Sequence, residues 1–108
     1  MDVKATRFNL FEDSNDWKPY HHDAAAIKPK YAKTQNFTAV VSFGLERDIS
    51  IIHAKNDCKV NIPLMNGHTY CFGKDVNCEW QHGVPKLAKR PKKDTLGRIS
   101  IVAWGWCT

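Results

Sequence analysis

Hydrophobic and polar positions alternate with a period of two along much of this chain, and only briefly with the period of about 3.6 that marks a helix. The run NFTAVVSF (Asn36–Phe43) is β-branched and aromatic, which predicts a strand. Gly44 ends it, and RDISIIH (Arg47–His53) begins another. After the turn pair Asn56-Asp57, CKVNIPL sets Cys58, Val60, Ile62 and Leu64 on one face. Asn66-Gly67 is a strong hairpin signal, and HTYCFG (His68–Gly73) follows it. CEWQHGV (Cys78–Val84) and RISIVAWGW (Arg98–Trp106) supply two further strands. In the last, Ile99, Ile101 and Ala103 alternate with Arg98, Ser100, Val102 and Trp104. Ala24–Ala26 offers at most one helical turn. Many short strands at close spacing, with turn residues between them, predict an all-β or mostly β fold: a sandwich, a jelly roll or a barrel.

At 108 residues the chain is one domain, residues 1–108, long enough for a single core with little to spare. No apolar run approaches the roughly 20 residues of a membrane-spanning helix, so no membrane partner is expected. The segment MDVKATRFNLFED has no apolar stretch of the secretory kind. The expected location is therefore intracellular, cytoplasmic or nuclear, where Cys58, Cys71, Cys78 and Cys107 stay reduced. None of the four forms a C-x-x-C pair, so zinc-finger spacing is missing; a zinc site built from scattered Cys and His is the alternative. The net charge of +5 favours polyanionic partners. Lys86, Lys89, Arg90, Lys92 and Lys93 fall within eight residues of PKLAKRPKKDTLG (Pro85–Gly97), which has no strand pattern. This basic loop is a candidate grip on nucleic-acid phosphates. Its plainer uses are a solvated charge run or, through KRPKK, a nuclear-import signal.

The stretch PYHHDAAAIKP (Pro19–Pro29) carries the candidate chemistry. In an extended segment His21 and Asp23 point to the same side, and His22 to the other. A third neutral imidazole would complete two histidines and one carboxylate, the set that occupies one face of an octahedral Fe(II) and leaves three positions open. His82, in WQHGVP, is available, and Arg98 opens the final strand. A buried arginine there suits bidentate contact with a carboxylate. Taken singly, each feature has a plain alternative: a solvent-facing loop, a satisfied histidine at a strand end, and a strand-start charge facing water.

Order, spacing and β context together resemble the AlkB family of Fe(II)- and 2-oxoglutarate-dependent dioxygenases, over about Asn9 to Trp106. FNLF (Phe8–Phe11) is similar to the family's N-x-Y segment, and His21-x-Asp23 matches H-x-D. AVVSFGLERDISIIH resembles its S-x-G-x-x-R-x-F hairpin, the stretch from Ile62 to Pro85 its strand, glycine turn, strand and distal histidine, and RISIVAW its closing R-x5-R strand. The resemblance implies a double-stranded β-helix, or jelly roll. It implies that His21, Asp23 and His82 bind Fe(II), that Arg98 holds the distal carboxylate of 2-oxoglutarate, and that Asn9 and Ser100 line the same pocket. It also implies O2-dependent dealkylation of nucleic-acid bases, reached single-stranded or by flipping.

Three positions depart from the family. Phe11 lacks the tyrosine hydroxyl, His68 follows Gly67 where an acidic residue is usual, and Trp104 stands in place of the second arginine, where it walls the cosubstrate pocket without pairing to a charge. Only eight residues precede Asn9, so the expectation is a catalytic core without the family's nucleotide lid, completed by a longer parent chain or a partner. Trp104 and the short N-terminal stretch favour an alternative, a non-catalytic polyanion-binding module on the same fold; the ordered His21, Asp23 and His82 oppose it. An oxygenase acting on protein or lipid is a third possibility.

Overall fold

A computed structural model of the chain describes residues 1–12, 15–87 and 97–108. Its elements are β1 (Asp2–Phe11), β2 (Lys18–His21), α1 (Ala24–Ile27), α2 (Pro29–Ala32), β3 (Phe37–Gly44), β4 (Arg47–His53), β5 (Lys59–Leu64), β6 (Thr69–Gly73), α3 (Lys74–Glu79), β7 (Trp80–Val84) and β8 (Arg98–Trp106). The strands form two four-stranded sheets, one ordered β1-β8-β3-β6 and the other β2-β7-β4-β5, with every pairing antiparallel. The fold is mostly β, as the strand pattern predicts, and a jelly roll, as the resemblance implies. No helix among the described residues is long and apolar enough to cross a membrane.

The expected strands are present, but two connections differ. Asn66-Gly67 is not a hairpin. The chain leaves the second sheet at Leu64 and enters the first at Thr69, so the turn crosses between sheets. The local chemistry is that of a tight turn: Gly67 has φ +85°, and the His68 N–H donates to the Met65 carbonyl. Turn residues reverse the chain, but burial decides which strand it then pairs with. Likewise β3 and β4 are joined at Gly44 but lie in different sheets. Among the described strands, β4 and β5 are the consecutive pair that is hydrogen-bonded. The strand expected from Cys78 begins at Trp80, because Lys74–Glu79 form the short helix α3. On β5 the alternation buries only Leu64; Val60 and Ile62 remain exposed on this edge strand.

The core is small: Phe11, Ile49, Leu64 and Val84 cluster together with Tyr70 packed against them. Much of the remaining space between the sheets is polar. Thr38, Ser42 and Ser100 are buried there beside Asp23, His82, Arg47 and Arg98. This inversion hides β1 from a pattern search, since Asn9 turns inward while Phe8 and Leu10 turn outward. The outer face of the first sheet is correspondingly apolar. Leu10, Ile99 and Phe43 form one cross-strand row, Phe8, Ile101 and Val41 the next, and Thr6, Ala103 and Ala39 a third.

Gly83 sets the closeness of β2 and β7. A Cβ there would sit 2.6 Å from the Lys18 carbonyl oxygen and 3.0 Å from that of Pro19. The same ladder sets His21 opposite His82. Gly83→Ala is expected to push β2 outward, costing about 1–3 kcal/mol and weakening Mn(II) binding. A melting curve with a metal titration checks both losses.

Candidate metal centre

His21 ends β2, His82 lies in β7, and Asp23 caps α1 from an extended backbone (φ −68°, ψ 154°). Period-two alternation from His21 to Asp23 brings both side chains to one point. His22 turns away, and its Nδ1 donates to the Asn77 carbonyl at 2.6 Å. His82 Nε2 lies 3.2 Å and His21 Nε2 3.8 Å from Asp23 Oδ1. One ligand atom from each of the three residues lies within 4.8 Å of the others.

Two of the three side chains, His21 and Asp23, are oriented by neighbours. His21 Nδ1 donates to the Pro19 carbonyl at 2.8 Å, which turns Nε2 toward the site. Asp23 Oδ2 accepts from Thr38 Oγ1 at 2.9 Å and from Trp104 Nε1 at 3.0 Å, leaving Oδ1 to face the histidines. The Asp23 backbone N–H donates to Asn77 Oδ1 at 2.9 Å, so α3 fixes the loop from below. Burial pushes the Asp23 carboxyl up, but hydrogen bonds from His82, Trp104 and Thr38 outweigh it and hold the pKa at about 2. Burial lowers the His21 pKa, which favours the neutral form that a metal requires. Two imidazole nitrogens and one carboxylate oxygen on one side, with the other side open, suit a divalent first-row metal such as Fe(II).

A narrow cavity of about 40 Å³ leads inward from these residues. That is room for about three water molecules. Asn9, Ser100, Tyr70, Arg98 and Trp104 line it. Asn9 Nδ2 donates to Ser100 Oγ at 3.2 Å, and Arg98 Nη2 donates to Ser42 Oγ at 2.8 Å. Arg98 Nε is buried without a hydrogen-bond partner, and none of the ion pairs among the described residues includes it. Its guanidinium lies 5.0 Å from the centre of the Phe11 ring, with Arg47 at 5.6 Å from the same ring. Burial lowers the Arg98 pKa; the Tyr70 hydroxyl opposes the shift and the Arg47 charge adds to it. Burial also pushes Tyr70 up to about 12, against the pull of Arg98.

Outside the metal ligands a wider cleft of about 460 Å³ opens, lined by Arg7, Lys18, Lys28, Tyr31 and Trp104 among others. Burial lowers the Lys18 pKa and the Arg7 charge lowers it further, while Asp23 opposes both.

Neither a family model nor a curated protein sequence matches the chain. Among solved structures, the chain is similar to one titled "The structure of OsALKBH1", with a TM-score of 0.73 over 98% of this chain at 18% identity. The fold is AlkB-like. The chain spans about half, 49%, of that protein's length.

The structure thus brings His21, Asp23 and His82 together, and it gathers Asn9, Arg98, Ser100 and Trp104 around one adjoining cavity. Lys86 is exposed, with its Nζ 4.8 Å above the Trp17 ring; Lys89, Arg90, Lys92 and Lys93 lie outside the described residues. The departures gain a physical account. Phe11 lies beside two guanidinium groups, His68 Nδ1 accepts the Met65 N–H at 3.1 Å within its turn, and Trp104 Nε1 donates to the Asp23 carboxylate. Thr38, Asn77 and Tyr70 escaped the sequence pattern. Thr38 carries a weak signal, being, with Ser42, one of two inward polar positions in a strand otherwise apolar on that face. The contacts of Asn77 and Tyr70 exist only in three dimensions.

His82→Ala should abolish tight Mn(II) binding, and His22→Ala should leave it near wild type. Trp104→Phe keeps the ring but removes the donor, so it should weaken Mn(II) binding by about 10–100-fold. Titration followed by electron paramagnetic resonance reads all three; equal losses from His82→Ala and His22→Ala would exclude this ligand set.

Proposed function

We propose that the chain is the core of an Fe(II)- and 2-oxoglutarate-dependent dioxygenase that dealkylates nucleic-acid bases. The supporting observation is a metal-competent His21, Asp23 and His82 opening onto a cavity whose buried guanidinium, Arg98, lacks a carboxylate partner. A buried charge without a counter-ion is costly, and the distal carboxylate of 2-oxoglutarate would neutralise it.

His21, Asp23 and His82 would hold Fe(II), with Trp104 and Thr38 keeping Asp23 one-sided. Bound iron would supply the redox chemistry that couples O2 and decarboxylation of 2-oxoglutarate to oxidation of an N-alkyl carbon. Arg98 would orient the cosubstrate, with Ser100 and Asn9 along its side. Tyr70, beside Arg98, offers the hydroxyl that Phe11 lacks. The apolar cluster of Phe11, Ile49 and Val84 excludes water from this end of the cavity. At about 40 Å³ the cavity must widen by side-chain movement to admit a five-carbon dicarboxylate. The basic outer cleft, with Arg7, Lys18 and Lys28 around an aromatic Tyr31, suits a phosphate backbone carrying a planar base. Trp104 in place of a second arginine, together with the narrow cavity, favours the second reading, a polyanion-binding module without turnover.

With Mn(II) present, 2-oxoglutarate should raise the melting temperature; at 100 times its Kd the stabilisation is about 2.7 kcal/mol. Arg98→Ala should remove the shift, along with Fe(II)-dependent consumption of 2-oxoglutarate. No shift at saturating cosubstrate would leave the binding-module reading. Affinity for single-stranded nucleic acid should fall with salt, with a log–log slope of about −0.7 per phosphate contacted. Replacing Arg7 and Lys28 by alanine, or Lys92 and Lys93, should make that slope shallower. An unchanged slope removes the corresponding group from the interface.

A further inference from the structure

Given a nucleic-acid substrate, on which this inference rests, we propose that Gln35 is the specificity-determining residue of the outer cleft. Its carboxamide reads the N6 and N7 edge of an adenine base. Gln35 is 8% exposed, yet among the described residues its side-chain amide makes no hydrogen bond. Only its backbone N–H is engaged, donating to the Tyr31 carbonyl at 2.9 Å. Buried carboxamides are nearly always paired, because an unsatisfied one loses its hydration without compensation. Two amides nearby obey the rule. Asn36 donates through Nδ2 to the Cys107 carbonyl at 2.8 Å and accepts the Cys107 N–H at 2.7 Å, and Asn77 Oδ1 accepts the Asp23 N–H at 2.9 Å. Gln35 instead lines the cleft of about 460 Å³ that also holds His21, Asp23 and Trp104. The second space it borders, about 10 Å³, only reaches the lower limit for one water molecule. A partner that satisfies both prongs of the amide therefore enters from the cleft.

The local chain sets a stacking surface beside this reader. The Tyr31 carbonyl accepts from the N–H groups of Thr34 and Gln35, which continues the turn of α2. Tyr31 and Gln35, four apart in that turn, fall on one side of it. Tyr31 lines the same cleft, as does Trp104, whose bond to Asp23 fixes its indole. Aromatic faces take up a base by stacking but tolerate any base, so discrimination needs a group that matches an edge. A carboxamide offers one donor and one acceptor side by side. On the edge that bases turn to the major groove, adenine presents the complement, an N6 amino donor beside the N7 acceptor. Guanine presents two acceptors there, cytosine a lone donor, and thymine an acceptor beside a methyl group. Reading N6 and N7 leaves the rest of the ring's rim free for the alkyl group that faces the metal. Arg7 and Lys28, in the same cleft, suit the flanking phosphates.

Fluorescence anisotropy on the full chain loaded with Mn(II) tests this, using short single strands of thymidine in which one central base is varied. The strand with a central adenine should bind on the order of 10-fold tighter than those with guanine, cytosine or thymine. Central 7-deazaadenine keeps the amino group and the stacking face but lacks the N7 acceptor, and it should lose most of that preference. Gln35→Met, similar in length but without the amide, should bind all the strands alike. It should keep the wild-type affinity for the all-thymidine strand, the circular dichroism spectrum and the Mn(II) affinity. A wild-type chain that binds the strands equally, or takes adenine and 7-deazaadenine equally well, overturns the role of Gln35 and leaves the nucleic-acid function standing. So does an adenine preference that survives in Gln35→Met. A wild-type chain that binds none of the strands overturns both. If Gln35→Met fails to fold, the comparison of adenine with 7-deazaadenine on the wild type still decides the matter.

Discussion

The carboxylate of Asp23 ties the two sheets of this jelly roll together. Its Oδ2 accepts from Thr38 on β3 and Trp104 on β8, both in one sheet, while its Oδ1 faces His82 on β7 in the other. A buried carboxylate is tolerated only when its oxygens are satisfied, so sequence must supply donors from both sides. That requirement places a threonine near the start of β3 and an indole where a wall residue would serve the packing alone. The same contacts leave a single oxygen lone-pair region pointing at two imidazoles. Sheet-to-sheet registration and ligand geometry are therefore one problem with one solution.

The second constraint is the polar interior. Two guanidinium groups share the space between the sheets with a phenyl ring, and only a handful of aliphatic side chains pack beside them. Arg47 is anchored by the carbonyls of Asp16 and Pro85 at 2.8 and 2.9 Å, which serves the structure. Arg98 has a serine hydroxyl and a ring face and faces no carboxylate among the described residues. The two residues look alike in the sequence, and only the fold gives them different surroundings.

Much of this was legible before the structure. Alternation marked β5 and β8, β-branched and aromatic residues marked β3, and bounding glycines and turn residues marked β4 and β6. The pairing of His21 with Asp23 followed from period two, and His82 and Arg98 followed from order along the chain. What stayed hidden had non-local causes. β1 turns its polar side inward, so its pattern contradicts the usual rule. Asn66-Gly67 encodes a reversal of direction, and a reversal is equally compatible with a hairpin and with a crossing between sheets. Trp104 appeared in the sequence as the loss of a positive charge. In three dimensions it is the gain of a hydrogen-bond donor, visible only once Asp23, 81 residues away in the chain, is brought beside it.

The place of β1 has a consequence for how the molecule comes into being. Its one neighbour in the sheet is β8, paired from Asp2 opposite Trp106 to Phe11 opposite Arg98. Closing a loop of nearly the whole chain carries a large entropic cost before any contact repays it, and topologies dominated by such pairings fold slowly. Until β8 is available, β1 has no partner among the described strands of its sheet, so Asn9 cannot meet Ser100 nor Phe11 meet Arg98, and the cavity between them takes shape only when these distant segments come together.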